Sequence, residues 1–177
     1  MSNSFGISSL KIPVKPRVFV SYHHRLDQGL YNSLAVQMQM SYELVQDNSL
    51  DRQIDSDNAE YVMRKIREEY LTGTSCTVVL CGADTPDRKF VDWEIMATLQ
   101  KEHALVGLRL PTLQIQQNGG THKPARLQDN IDSGYAVWGQ YSDVLYNPGK
   151  LAELVHEARS RSKRLIDNTR QRRIRNG

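Results

Sequence analysis

The chain has 177 residues, 39% hydrophobic and 24% charged, with a formal net charge of +3. That length is ample for one domain with a buried core, and the composition excludes a wholly disordered chain. No apolar run approaches the roughly 20 residues of a membrane helix, and the start, MSNSFGISSLKIPVKPR, lacks the pattern of a secretory signal.

Residues 1–16 read as a leader closed by Pro13 and Pro16, 17–158 as the folded domain, and 159–177 as a basic helix end and tail. Arg17 to Tyr22 (RVFVSY) is a short apolar strand followed by the polar cluster His23, His24, Arg25 and Asp27. A helix is expected over about Asp27–Met40, with Leu30, Leu34 and Met38 at spacing four. Tyr42–Val45 reads as a second strand, and Gln46–Ser56 as a polar loop long for a strand–helix connection. Asp57 and Glu60 are spaced as a capping box before a stripe of Val62, Ile66 and Tyr70, and Gly73 stops that helix.

Thr74–His103 is the most informative stretch. Thr77–Cys81 (TVVLC) is β-branched and apolar, the pattern of a strand covered on both faces, and it ends at Gly82. Asp84, Thr85, Pro86 and Asp87 supply turn and helix-start chemistry. Val91, Ile95 and Leu99 then form one helical stripe, while Phe90 and Glu94, also four apart, share a neighbouring face. Cys76 and Cys81, five residues apart, should point to opposite faces as packed thiols, which fits a reducing, cytoplasmic setting. Ala104–Leu110 is a fourth strand, 112–134 a long polar connection, Tyr135–Trp138 a short edge strand. Asn147–Pro148 offers an N-cap and first-turn proline for a last helix carrying Leu151, Leu154, Val155 and Ala158.

This alternation predicts a flavodoxin-like, doubly wound parallel sheet of about five strands in a three-layer α/β/α sandwich, with strand order 2-1-3-4-5. The switch point then lies between strands one and three, and ligands bind beyond their carboxyl ends. Those ends are Ser21–Tyr22–His23 and Gly82–Ala83–Asp84, and the helix bearing Glu94 rises from the second. The sequence contains neither G-x-G-x-x-G nor G-x-x-x-x-G-K-[ST] after a strand, which argues against a Rossmann dehydrogenase or a P-loop NTPase. Its five histidines and two cysteines show no zinc-ligand spacing, so no metal is expected.

Three pieces, RVFVSYHHRLD (Arg17–Asp27), TSCTVVLCGADT (Thr74–Thr85) and RKFVDWEI (Arg88–Ile95), resemble TIR-like proteins. The likeness is to the bacterial and archaeal group that includes the NAD-consuming subunit of the Thoeris anti-phage system. It covers roughly residues 15–110. The resemblance implies a catalytic glutamate four residues after an aromatic position, here Glu94 after Phe90, where tryptophan is usual. Trp93 is an additional aromatic beside it. Implied with it are NAD+ as substrate rather than cofactor, loss of nicotinamide, and a linear or cyclic ADP-ribose product that signals to a separate effector protein. Self-association through TIR surfaces and a phage-derived trigger are likewise implied. Ser21, Tyr22, His23, Phe90 and Asp84 are the expected substrate-binding residues around Glu94.

Two other readings stand beside it. The same elements suit a non-enzymatic docking module; a phosphorylated receiver is disfavoured because positions 21–24 are Ser, Tyr, His and His rather than acidic. The basic end invites nucleic acid: Arg159–Gly177 holds eight basic residues and one acidic, against 15 and 19 in the rest. No aromatic residue interleaves those arginines, so a solvated helix end with a frayed tail is the plainer expectation.

Overall fold

A computed structural model of the chain describes residues 15–46 and 58–177. The expected leader up to Val14, the loop that follows Gln46, and Asp57 of the expected capping box lie outside the described residues. Five strands, β1 (Arg17–Ser21), β2 (Glu43–Gln46), β3 (Thr74–Cys81), β4 (Ala104–Arg109) and β5 (Val137–Gln140), pair in parallel in the order β2-β1-β3-β4-β5. This is the expected flavodoxin-like order, with β1 and β3 adjacent at the centre.

Alternation along β1 and β3 divides the core between two helical layers. Val18, Val20, Val78 and Leu80 pack with α1 (His24–Met38), α5 (Tyr141–Tyr146) and α6 (Pro148–Ser160). Val79 and Cys81 pack instead with Val91, Ile95 and Leu99 of α3 (Lys89–Gln100) and Leu127 of α4 (Ala125–Asp132). Phe19 faces that same side, against Val62 and Met63 of α2 (Ala59–Lys65) and Trp93 and Ala97 of α3. Each large aliphatic side chain so buried contributes about 1.5–3 kcal/mol, which makes the central strands the stable floor on which the site rests. Cys76 and Cys81 do fall on opposite faces, both buried, and burial pushes the Cys76 thiol up to about 12.

Several boundaries differ from expectation. Helix α1 begins at His24, directly after Tyr22 and His23, so Asp27 lies inside its first turn rather than at its start. Helix α2 is capped by the Asn58 side chain, which accepts from Tyr61 N at 3.1 Å, and it runs on through a π-helical turn, Ile66–Tyr70. Gly73 then takes a φ of +79°, the left-handed conformation its predicted stop requires. The edge strand β5 starts at Val137, because Tyr135 and Ala136 turn inward and the Tyr135 hydroxyl donates to the His103 carbonyl at 2.8 Å. Asn147 and Pro148 start α6 as expected, with Asn147 Oδ1 accepting from Gly149 N at 3.2 Å.

Three elements were not expected, one of them the short helix α5 between β5 and α6. Helix α4 lies inside the supposed polar connection, and its inward residues include Arg126 and Asn130, both 0% exposed. The chain beyond α6 is not frayed: after the 3-10 turn Lys163–Leu165, residues 167–177 run across α3 and α4 through hydrogen bonds. Buried polar partners hold the C-terminal segment in place, and in α4 they stand beside the apolar Leu127 and Ile131.

Candidate functional site

The carboxyl ends of β1 and β3 open at one edge of the sheet, and α3 brings a carboxylate to them. Ser21, the last residue of β1, donates from Oγ to Glu94 Oε2 at 2.5 Å, joining positions 73 residues apart. Both side chains are buried, Ser21 at 1% and Glu94 at 4% exposure. Each group thus satisfies the other where water has little access. The Thr98 hydroxyl donates to the Glu94 carbonyl at 2.8 Å and meets Thr77 Oγ1 of β3 at 2.7 Å, tying this turn of α3 to the strand beneath.

Tyr22 is fixed between two rings. It stacks on His24 at 4.2 Å and on Tyr31 at 4.7 Å, and its hydroxyl donates to Gln28 Oε1 at 2.9 Å. Tyr22, His23, His24, Arg88, Phe90, Val91 and Glu94 line a narrow cleft whose interior volume is about 10 Å³. Small-molecule sites usually span about 300–1,000 Å³, so the cleft as it stands is too tight for a dinucleotide. Phe90, half-buried, gives it an apolar wall and meets Trp93 edge to face at 5.6 Å.

Four of the expected substrate-binding residues, Ser21, Tyr22, His23 and Phe90, are thus gathered around Glu94. Asp84 is not. The 3-10 turn Thr85–Asp87 leaves it exposed at the rim, 3.8 Å from the Arg88 guanidinium and outside the cleft lining. Trp93 is a core residue, 5% exposed, with Nε1 donating to the Arg173 carbonyl at 2.7 Å. One residue apart on a helix means about 100° of rotation, which separates Trp93 from the cleft face that Glu94 shares with Phe90.

Arg88 and His24 join the lining with no strong sequence signal. Arg88 Nε is buried without a hydrogen-bond partner, a donor held beside the cleft that a ligand oxygen would satisfy. Asp27 lies outside the cleft lining. It is 2% exposed at the β3 end, where Thr85 Oγ1 lies 3.4 Å from Oδ2, and burial pushes its carboxyl up to about 6. Gly82 makes the room: a Cβ there would lie 2.6 Å from Asp27 Oδ2. Among the described residues no group of three or more His, Cys, Asp or Glu is arranged to hold a metal ion.

A family model, Thoeris protein ThsB, TIR-like domain, matches residues 19–115, more than half of the chain, from within β1 to beyond Glu94. Among solved structures, the TIR domains of the activated Roq1 resistosome recognising the pathogen effector XopQ are similar at 10% identity. That match covers 86% of this chain and 84% of the other, with a TM-score of 0.38. No curated protein matches the chain.

Proposed function

The chain belongs to the Thoeris ThsB TIR-like family, and on that premise we propose that it cleaves NAD+ between nicotinamide and ribose, with Glu94 as the catalytic carboxylate. The observation that carries this reading is the buried Ser21–Glu94 pair at the head of a cleft walled by Phe90. Breaking an N-glycosidic bond builds oxocarbenium character on the ribose, as glycoside hydrolysis does. A fixed carboxylate in a water-poor cleft stabilises that charge more than it stabilises the ground state, which is what lowers the barrier. Nicotinamide departs neutral, so its departure needs no proton donor. The ribose hydroxyls take over the hydrogen bond that Ser21 now supplies, Phe90 packs against a planar ring, and Arg88 is placed to meet a diphosphate oxygen.

Water attacking the cation gives ADP-ribose; a nucleophile within the nucleotide gives a cyclic isomer, the product expected of a signalling role. In that role the product acts on a separate effector protein, in the cytoplasm, after a phage-derived trigger. The cleft is too tight for the dinucleotide as it stands, so a second copy of the chain is proposed to complete the site or open it. The test is incubation of the chain with NAD+, alone and under assembling or phage-infected conditions, followed by chromatography for nicotinamide and ADP-ribose species. Nicotinamide release supports the enzyme. Its absence under every assembling condition favours a docking module, for which the small cleft and the engaged carboxylate already argue.

A further inference from the structure

Helix α3 carries Glu94, yet its own flanks do little to fix its start: Arg88, at the N-cap position, makes no side-chain cap. The missing cap arrives from the other end of the chain. Asn176 Oδ1 accepts from Lys89 N at 2.9 Å, satisfying a first-turn donor that the helix itself leaves open. The same segment pins the next two turns. Arg173 N donates to Asp92 Oδ2 at 2.8 Å, the Arg173 carbonyl accepts from Trp93 Nε1 at 2.7 Å, and Asn168 Nδ2 donates to the Met96 carbonyl at 3.2 Å. Lys89, Asp92, Trp93 and Met96 recur at helical spacing on a side of α3 that does not line the cleft.

A buried guanidinium locks this segment to the helix. Arg126 of α4, 0% exposed, pairs with Asp92 at 2.9 Å and donates to Asn168 Oδ1 at 2.7 Å and the Gln171 carbonyl at 3.2 Å. Asn130 completes the anchor, donating to the Asp167 carbonyl at 2.7 Å and accepting from Asp167 N at 3.0 Å. None of the large apolar core clusters draws a residue from 167–177; what this segment offers is polar and aimed at α3 and α4.

We propose that Asp167–Gly177 is a positioning strap: by capping and pinning the first turns of α3, it sets the rotation and axial register at which Glu94 meets Ser21 and faces the cleft. Asn176 and Asn168 are its positioning residues; no strap residue lines the cleft. The inference rests on Glu94 being the catalytic group, and its test therefore includes readouts that do not depend on turnover.

The experiment compares Asn176→Ala, Asn168→Ala and Asn176→Asp in the full chain, by amide hydrogen exchange, by the stability coupling between Ser21 and Glu94, and by NAD+ turnover. Asn176→Ala is expected to speed exchange at Lys89, Phe90 and Val91 about fivefold, the equivalent of a lost N-cap, with β3 and β4 amides unchanged. It should lower kcat about tenfold with KM within about twofold, since misplacing a reacting group is felt in the chemical step. Asn168→Ala should do the same in the turn around Met96, and Asn176→Asp, another capping acceptor, should restore both readouts. Uniformly faster exchange throughout the chain, or faster local exchange with unchanged kcat and unchanged coupling, overturns the strap. If the unaltered chain cleaves no NAD+, the catalytic reading falls. The strap is then decided by whether Asn176→Ala abolishes the Ser21–Glu94 coupling, and retention of that coupling overturns it.

Discussion

Replacing Ser21 by alanine removes the donor that holds Glu94 while leaving the sheet intact. Ser21 is 1% exposed and Glu94 4%, so water cannot readily take the place of the lost hydroxyl. Leaving one buried partner of a hydrogen bond unsatisfied costs about 1–3 kcal/mol, and about 2 kcal/mol is the expected loss for a contact of 2.5 Å in this setting. For a domain of this size each kcal/mol moves the midpoint by about 2–4 °C, so Ser21→Ala should melt about 4–8 °C lower. Urea denaturation of Ser21→Ala, Glu94→Gln and the double variant isolates the pair, because the cycle cancels packing effects that each change has on its own. A coupling of about 1.5–3 kcal/mol is predicted, little changed by salt because the pair is buried. A coupling below about 0.5 kcal/mol would refute the claim that Ser21 orients the carboxylate. In the proposed reaction the number has a mechanistic meaning: it is what ribose hydroxyls would have to replace at Glu94.

Two further predictions concern stability. Arg126→Met leaves Asp92 buried without its cation and should cost about 3–5 kcal/mol in urea denaturation, whereas a change below about 1 kcal/mol would contradict the pairing. Asp27 gives a pH signature. Its folded carboxyl is raised from 3.8 to about 6 by burial, so between those values the folded chain binds more protons than the unfolded one. Its contribution therefore favours the fold below about pH 4 and is lost as the pH rises through about 6. Asp27→Asn should flatten stability over that window by at most about 1.4 kcal/mol per pH unit, and an unchanged pH profile would exclude Asp27 as the cause.

Most of the sheet was legible because parallel central strands advertise themselves: RVFVS and TSCTVVLC have the β-branched density that burial on both faces demands. Once the strand order follows from the alternation, the switch-point rule alone brings Ser21 to the helix of Glu94. What escaped the sequence was held by polar burial. Helix α4 shows Leu127 and Ile131 one turn apart, but beside them run Arg126 and Asn130, which look solvated until Asp92 and the strap surround them. The basic tail misled for the same reason: Arg170 pairs with Asp129, Arg172 with Glu60 and Arg173 with Asp87, charges a nucleic-acid reading would have left outward. Asp84 was drawn into the crevice by adjacency to β3, and the turn Thr85–Asp87 directs it away. Asp27 resembled an ordinary first-turn acid; only Gly82, by lacking a Cβ, reveals how closely β3 approaches it.

The central claim is that Glu94 performs chemistry on NAD+. The direct measurement is turnover of NAD+ by the intact chain and by Glu94→Gln, under identical assembling conditions and with folding verified by the same urea titration. The amide keeps the shape and much of the hydrogen bonding but cannot stabilise a ribosyl cation by charge. Nicotinamide release by the intact chain and a fall of about 10²–10³ in kcat for the variant are predicted. Nicotinamide released at the same rate by Glu94→Gln would contradict the claim.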